Sequence, residues 1–411
     1  MSLLGAWALT LGALPALAAS PPARPDSTWV ALGALPEKLD GPIFALAINP
    51  ADPSAIMVGT SAGAIYRSSD GGATWATVAR GLGRGVLTIQ FSPFKPGLVY
   101  AGTRSDGLYR SVDGGASWAK QVAIPNTTVR AVGFAKSMTL VGADGGLFSS
   151  RDGVSWTPYL TLAPLSLSAI AVPVVNDPAP RFIAGGDATR GNEALPLYVS
   201  PDAGITWNNV KSLGSSTIIG TAAAGPAPLK GDSRALVVGT NVGAFLSNDG
   251  GVTWAQIAGL PAIDFTSATF LANHPERFYI ASDGGGTESG GLWTTADAGQ
   301  TFRSLGSPIG SVTALAISTE DLPMVYTATY RPIDHAVMLW AYHDTGATPN
   351  PPAGGLPPAA ELPAAAPLVA IRAWDWRRWV TGPEAPFLAL GALSVLVLLT
   401  AVVLQFRRGR D

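Results

Sequence analysis

The chain has 411 residues, 26 Lys+Arg against 28 Asp+Glu, a formal net charge of −2 and no cysteine. Charged residues make up 13% of it against a usual ~25%, and 48 Gly with 34 Pro fit a mostly helical protein poorly. The near-neutral balance excludes a phosphate-backbone binder, so no nucleic acid is expected as partner. The lack of Cys excludes disulfides, thiolate metal sites, Cys nucleophiles and a lipidated N-terminal Cys.

Residues 1–19 read as a signal peptide. Leu3 to Leu17 is apolar and Ala16-Leu17-Ala18 offers a small-x-small cleavage site, although the first positive charge is Arg24. An uncleaved N-terminal anchor is the alternative. Pro21, Pro22 and Pro25 break any continued helix and favour release of the mature chain.

From there one motif recurs. It runs Ser68-Ser-Asp70-Gly-Gly72-Ala-Thr74-Trp75, then Ser111-Val-Asp113-Gly-Gly115-Ala-Ser117-Trp118. A copy one residue shorter carries Ser150, Asp152, Gly153, Ser155 and Trp156. Two more place Ser200, Asp202, Gly204, Thr206 and Trp207, then Ser247, Asp249, Gly251, Thr253 and Trp254. The sixth, with Thr295, Asp297, Gly299 and Thr301, ends in Phe302 instead of Trp. Successive Asp residues are 43, 39, 50, 47 and 48 apart. The motif suits a tight hairpin: the Asp carboxylate and Ser hydroxyl accept from nearby N–H groups. The Gly supplies positive φ, Thr or Ser starts the returning strand, and the aromatic ring drives that strand into the core.

The flanks complete a unit of four short strands. An apolar run such as Val86–Phe91 ends at the turn Pro93-Phe94-Lys95-Pro96-Gly97; a second, 98–102, leads to a third ending in Leu108-Tyr109. The same order recurs around Asn49-Pro50 and around His274-Pro275. Four strands per ~45 residues, repeated, describe β-propeller blades. Ser27-Thr28-Trp29-Val30 looks like the end of a unit lacking its beginning. The runs at 312–317, 324–329 and 337–341 look like a unit lacking its end. Joining them predicts an all-β, seven-bladed β-propeller over residues 26–343, closed by an N-terminal strand.

Beyond it, 344–371 reads as a stalk, its stretch Thr345–Pro367 being rich in Ala, Pro and Gly. A juxtamembrane segment, 372–384, holds Trp374, Trp376 and Trp379, as an interfacial belt would. Residues 385–406 contain no charge and, at ~1.5 Å per residue, reach roughly 33 Å, enough for one transmembrane helix. Arg407, Arg408 and Arg410 follow in a cytoplasmic tail, 407–411. Three Arg flank the helix on each side, so the export signal sets the orientation: single-pass in the plasma membrane, propeller extracytoplasmic. Leu356-Pro357-Pro358-Ala359-Ala360 is a weak match to a sortase signal, too far from the helix.

The boxed motif resembles the Asp-box, or bacterial neuraminidase, repeats of sialidases, xyloglucanases, sortilin-type receptors and photosystem II assembly-factor propellers. The resemblance covers Trp29 to Tyr342 and implies turn scaffolding, not an activity. Boxes are turns between third and fourth strands, so the opposite face carries the variable loops. Arg80 and Arg84 fall there, as do Arg104 and Asp106. Two enlarged loops add Asp187 and Arg190 (185–193), then Asp283 and Glu288 (283–291); the 330–335 turn adds Arg331, Asp334 and His335. A monomeric, non-catalytic propeller binding a protein or glycan through these residues is the leading expectation, with help to assembly of a membrane complex as a variant. A sialidase-like exo-glycoside hydrolase is the alternative. It would need an arginine trio, a Tyr/Glu pair and an acid Asp, but the Phe-Arg-Ile-Pro segment of sialidases is absent. No cofactor and no metal are expected: His274, His335 and His343 lack ligand spacing, and each box Asp already has turn N–H partners. The Asp283 loop has no Lys-Ser/Thr to make a phosphate cradle. Asn126-Thr127-Thr128 matches a glycosylation acceptor. Arg67 and Arg110, at matching places before their boxes, are expected to stack on neighbouring aromatics.

Overall fold

The computed structural model describes residues 24–172, 181–188, 197–210, 213, 217–230, 233–285 and 289–353. The expected signal peptide, membrane segment and tail lie outside these residues, as do Arg190 and Glu288. Among the described residues no helix is long and apolar enough to cross a membrane.

Strand β1 (Trp29–Ala31) leads. Blade 1 is β2 (Ala45–Asn49), β3 (Asp52–Gly59), β4 (Ile65–Ser68) and β5 (Ala76–Ala79). Blade 2 is β6 (Val86–Phe91), β7 (Val99–Thr103), β8 (Leu108–Ser111) and β9 (Ala119–Lys120). Blades 3 and 4 share β10 (Val129–Ala135), β11 (Met138–Ser150), β12 (Thr157–Ala171), β13 (Phe182–Ala188), β14 (Leu197–Ser200) and β15 (Asn208–Asn209). Blade 5 is β16 (Ile219–Lys230), β17 (Ser233–Thr240), β18 (Gly243–Ser247) and β19 (Ala255–Gln256). Blade 6 is β20 (Ser267–Phe270), β21 (Phe278–Ser282), β22 (Gly291–Thr295) and β23 (Arg303–Ser304). Blade 7 is β24 (Val312–Ile317), β25 (Met324–Arg331) and β26 (Ala336–His343), completed by β1.

Hydrogen bonding groups these strands into six sheets, because one six-stranded sheet contains two blades. Strand β12 is the outer strand of blade 3 through 157–161 and the inner strand of blade 4 through 165–171. Entering blade 2 the chain is broken at Gly81, Gly83 and Gly85, and entering blade 3 it turns at Pro125-Asn126, where Thr127 N donates to Pro125 O. Between blades 3 and 4 the stretch 157–171 has no glycine and mixes apolar residues with Thr and Ser, and extended structure continues through Pro164.

The core gives an independent count. Seven apolar clusters exist among the described residues, each between two neighbouring blades. Strand β3 shows why its run is unbroken. Ile56 and Val58 pack toward blade 7 while Met57 packs toward blade 2, so both faces of the pleat are covered and strict alternation is lost. Seven seams make seven blades.

The ring closes where the sequence places the closure. Trp29, Val30 and Ala31 pair antiparallel with Tyr342, Ala341 and Trp340. Trp29, Trp340 and Tyr342 are fully buried, and the Trp29 indole donates to Leu305 O at 2.7 Å. The chain then continues beyond the expected end of the propeller. Asn350 N donates to Ser27 O at 2.7 Å and Ala353 N to Trp29 O at 2.9 Å, with a parallel bridge between Thr28 and Asn350. The stretch predicted to open the stalk, 344–353, thus lies along the outside of β1. Asp344 is wholly buried there. It accepts from Arg303 Nη2 (2.6 Å), Arg277 Nη2 (3.1 Å), the Tyr279 hydroxyl (2.7 Å) and Gly346 N (3.0 Å). Burial opposes its ionisation, but these donors outweigh it and hold its pKa below the usual value.

Candidate binding face

The boxed turns come first because they fix which face is which. Ser68 Oγ donates to Asp70 Oδ1 (2.7 Å) and accepts from Gly72 N (2.7 Å). Asp70 also accepts from Thr74 N (2.9 Å) and Thr74 Oγ1 (2.6 Å). The same bonds recur at Asp113, Asp152, Asp202, Asp249 and Asp297. The hydroxyl of the strand-starting Thr or Ser is therefore a carboxylate donor, a role not anticipated from the sequence although that residue is present in every copy. For Asp70, burial raises the pKa, but the Thr74 and Ser68 bonds win and bring it to about 2. Thr301 leads the donors that hold Asp297 at about 2. Gly115 has φ +85 and a Cβ there would meet Met57 Cε of blade 1 at 1.7 Å. The box thus inserts into the preceding blade, and glycine is needed for space as well as for φ.

The turns hydrogen-bond to the first hairpin of their own blade: Gly71 N to Ser54 O, Gly114 N to Gly97 O, Ala298 N to Glu276 O. Boxes and first hairpins therefore share one face. The aromatic residues ending the boxes differ from expectation. Trp156 is buried, whereas Trp75, Trp118, Trp207, Trp254 and Phe302 are half-buried at the rim of a seam. Arg67 and Arg110 each keep a buried Nε without partner; cation–π contacts occur instead at Arg24 over Tyr326 (5.3 Å) and Arg277 over Tyr279 (5.7 Å). His274 bridges the first hairpins of blades 6 and 7, with Nε2 at 3.0 Å from Asp321; that bond first, then Glu276, raises its pKa.

The opposite face carries, among the described residues, Arg84, Arg104, Asp106 and Asp283. Arg84 N donates to Arg104 O (3.2 Å) and Arg104 N to Gly85 O (2.8 Å), which ties the loop entering blade 2 to the loop between β7 and β8. Both arginine side chains are exposed. Neither enters an ion pair among the described residues. The other charges are largely spoken for. Arg80 pairs with Glu37. Asp106 pairs with Lys120 and accepts from the Tyr109 hydroxyl at 2.6 Å. Lys120 first, then Tyr109, lowers the Asp106 pKa, while burial and then Asp106 push Tyr109 up to about 12. Arg331 grips Asp334 with two bonds, at 2.9 and 2.7 Å, and both side chains are largely buried. Asp187 lies on β13, opposite Ser166. Asp283 accepts from Gly285 N at 2.9 Å. Beside it stands Asp264, whose pKa is raised by burial first and then by the Asp283 charge.

Asp264, Glu37 and the Arg130–Asp144 pair were missed, as was the lip of the central opening. The signal was present: the inner strands align as Ile43-Phe44-Ala45, Val86-Leu87-Thr88, Val129-Arg130-Ala131 and onward. Register shifts fall at the middle position in blades 2, 3, 4, 5 and 7. Where that residue bears a hydroxyl, it stitches to the next blade: Ser168 Oγ to Ile219 O (2.5 Å), Thr266 Oγ1 to Val312 O (3.4 Å), Thr313 Oγ1 to Ile43 O (2.6 Å). Over blades 1 and 2 the lip is Phe44, 39% exposed, and half-buried Leu87. Among the described residues no group of three or more His, Asp or Glu could hold a metal.

The ring of blades defines a seven-bladed β-propeller, and solved propellers resemble it. A GH74 xyloglucanase from Xanthomonas campestris superposes with a TM-score of 0.55 at 15% identity over 77% of this chain and 55% of that one. The chain thus spans about half of the xyloglucanase. YCF48 bound to D1 peptide gives 0.54 at 16% identity over 79% of this chain and 100% of that one. The WD40 propeller of Doa1 gives 0.52 at 10% identity over 75% and 96%. No protein-family model and no curated sequence matches the chain.

Proposed function

We propose that this chain is a non-catalytic propeller of the Asp-box type that binds a protein partner on its loop face, held at the outer surface of a plasma membrane. The observation that carries the reading is the sector over blades 1 and 2. Arg84 and Arg104 are exposed, linked through their backbones and without a described counter-ion, next to the apolar lip of Phe44 and Leu87. A cationic pair beside exposed apolar surface suits a peptide with a carboxylate and an apolar side chain. The similarity to YCF48, solved with a D1 peptide, supports a protein as partner, and the resemblance of the boxed motif to assembly-factor propellers keeps help to a membrane complex as a variant. The apolar run 385–406 and the export-type N-terminus support anchoring and outward orientation. The test is co-purification of the full chain from its native membranes, wild type beside Arg84→Ala/Arg104→Ala. A stoichiometric partner lost from the double variant is expected; a partner retained by it rejects this face.

One observation favours the second reading, a glycoside hydrolase. Asp264, pushed toward its protonated form beside Asp283, is the kind of carboxyl pair an acid and its partner require. A panel of fluorogenic glycosides decides. Turnover abolished by Asp264→Asn replaces the binding reading with an enzymatic one; background rates throughout remove the hydrolase.

A further inference from the structure

Ion pairing leaves the loop face polarised. Glu37, Asp106, Asp144 and Asp334 neutralise Arg80, Lys120, Arg130 and Arg331, and in the loop entering blade 1 Lys38 and Asp40 offset one another. What remains among the described residues is a positive pole, Arg84 and Arg104, where blade 1 meets blade 2, and a negative side: Asp264 and Asp283, where blade 5 meets blade 6 and the Ser282 hydroxyl donates to Asp264 O, with Asp187 on β13 of blade 4. The two pairs are built alike. Each combines the loop entering a blade with the loop between its second and third strands, and Arg104 and Asp283 occupy corresponding positions, two residues beyond Gly102 and Ala281. In a closed ring of seven the two seams stand almost as far apart as the symmetry permits, on opposite sides of the central opening. The apolar lip is not central: Phe44 and Leu87 belong to the positive side, while Ser168, Thr266 and Thr313 spend their hydroxyls on inter-blade bonds elsewhere around the rim.

We infer that the partner segment is an extended, dipolar peptide lying across the central opening, its acidic end on Arg84 and Arg104, an apolar residue just inside that end on Phe44 and Leu87, and its basic end on Asp264 and Asp283. The inference rests on the binding reading above and adds the order of charges along the ligand. Complementary poles fix register and suppress wrong partners more than they raise affinity. A uniformly acidic segment would find half of its charge against carboxylates. An extended chain advances ~3.3 Å per residue, so about ten residues reach across a distance of roughly 33 Å.

The probes are two labelled synthetic decapeptides read by fluorescence anisotropy at low salt against the full chain in detergent. One has Lys-Lys at one end, a Gly/Ser middle, then Leu-Phe and Asp-Asp at the other end; the second has its Lys-Lys replaced by Asp-Asp. The dipolar peptide should bind wild type about tenfold more tightly than the diacidic one, as two rim charge contacts turn from attractive to repulsive. Asp264→Asn/Asp283→Asn should erase that preference while keeping the binding of both. Arg84→Ala/Arg104→Ala should abolish both. If one carboxylate is needed for folding, as an altered melting curve would reveal, Asp283→Asn alone should still halve the preference or better. Equal binding of both peptides to wild type, with both lost on Arg84→Ala/Arg104→Ala, overturns the dipole and leaves the binding face intact. Binding of either peptide that survives the arginine changes, or none to wild type, overturns the face itself and this inference with it.

Discussion

The ring is joined in two contrasting ways. Between blades 3 and 4 the join is covalent: β12 serves both blades, and the seam holds Leu140, Leu147, Leu167 and Phe182 with small residues such as Ala135 and Ala184. At blade 7 the chain ends must find each other. The three residues of β1 bring Trp29 against Trp340 and Tyr342, with the Trp29 and Tyr342 rings 4.9 Å apart, and a buried carboxylate gathers two arginines and a tyrosine nearby. Where continuity fixes the geometry, Phe182 is the one fully buried aromatic of the seam, and Tyr159, Tyr198 and Trp207 are only partly buried against it. Where it does not, large aromatic surface and charge-assisted bonds supply the adhesion.

The largest expected effect tests that contrast directly. Trp29→Ala removes a fully buried indole at the closure and should cost about 3–5 kcal/mol in chemical denaturation, at the upper end of or above the about 2–5 for Leu167→Ala at the continuous join; a larger loss at Leu167 would erase the distinction. Next, Asp344→Ala strands Arg303, Arg277 and Tyr279 and should cost about 3 kcal/mol, with proteolysis between 344 and 353 becoming fast; an unchanged melting temperature would show the carboxylate to be idle. Acid titration reaches every blade that carries a boxed turn. Those Asp residues have pKa values lowered by folding, with Asp70 and Asp297 near 2. Unfolded Asp, near 3.8, takes up its proton first, so the stabilisation is complete above about pH 5 and declines as pH falls from there through about 2. Melting temperatures that stay flat over that window would mean that the turns bear no weight. The smallest effect concerns Ala203 and Ala298, which adopt φ of +56° and +57° where other boxes have glycine. Ala298→Gly should stabilise by up to about 1 kcal/mol, since relief of left-handed strain exceeds the added freedom of the unfolded chain.

Much of the fold was legible because turns, unlike strands, demand particular residues. Asp, Gly and Thr at fixed offsets marked every third-to-fourth-strand turn, and Trp29 without a preceding box revealed the closure. The run-on at β12 was not legible, since the lack of glycine between 157 and 171 is shared by the join at 121–128, where the chain does turn. Nor was the half-exposure of Trp118 and its counterparts, because burial at a seam depends on the neighbouring blade. On the loop face, Arg84 and Arg104 could be placed from strand order alone. That Arg80 and Asp106 are engaged with partners could not, for Glu37 and Lys120 lie in other segments, whereas the Arg331–Asp334 pair, three residues apart, was within reach of the sequence and passed over. Asp264 escaped because its companion Asp283 is remote in sequence.

The tract following β26 has a mechanical meaning. Residues 344–353 run parallel to β1 and are bonded to it at Asn350 and Ala353. Tension applied beyond Ala353 therefore loads these bonds lengthwise, all together, instead of peeling them one at a time. Asp344 and its two arginines form the next barrier, ahead of the pairing between Trp29 and Tyr342. A disc hung by this end would keep its shape under a tug that would unzip an ordinary edge strand.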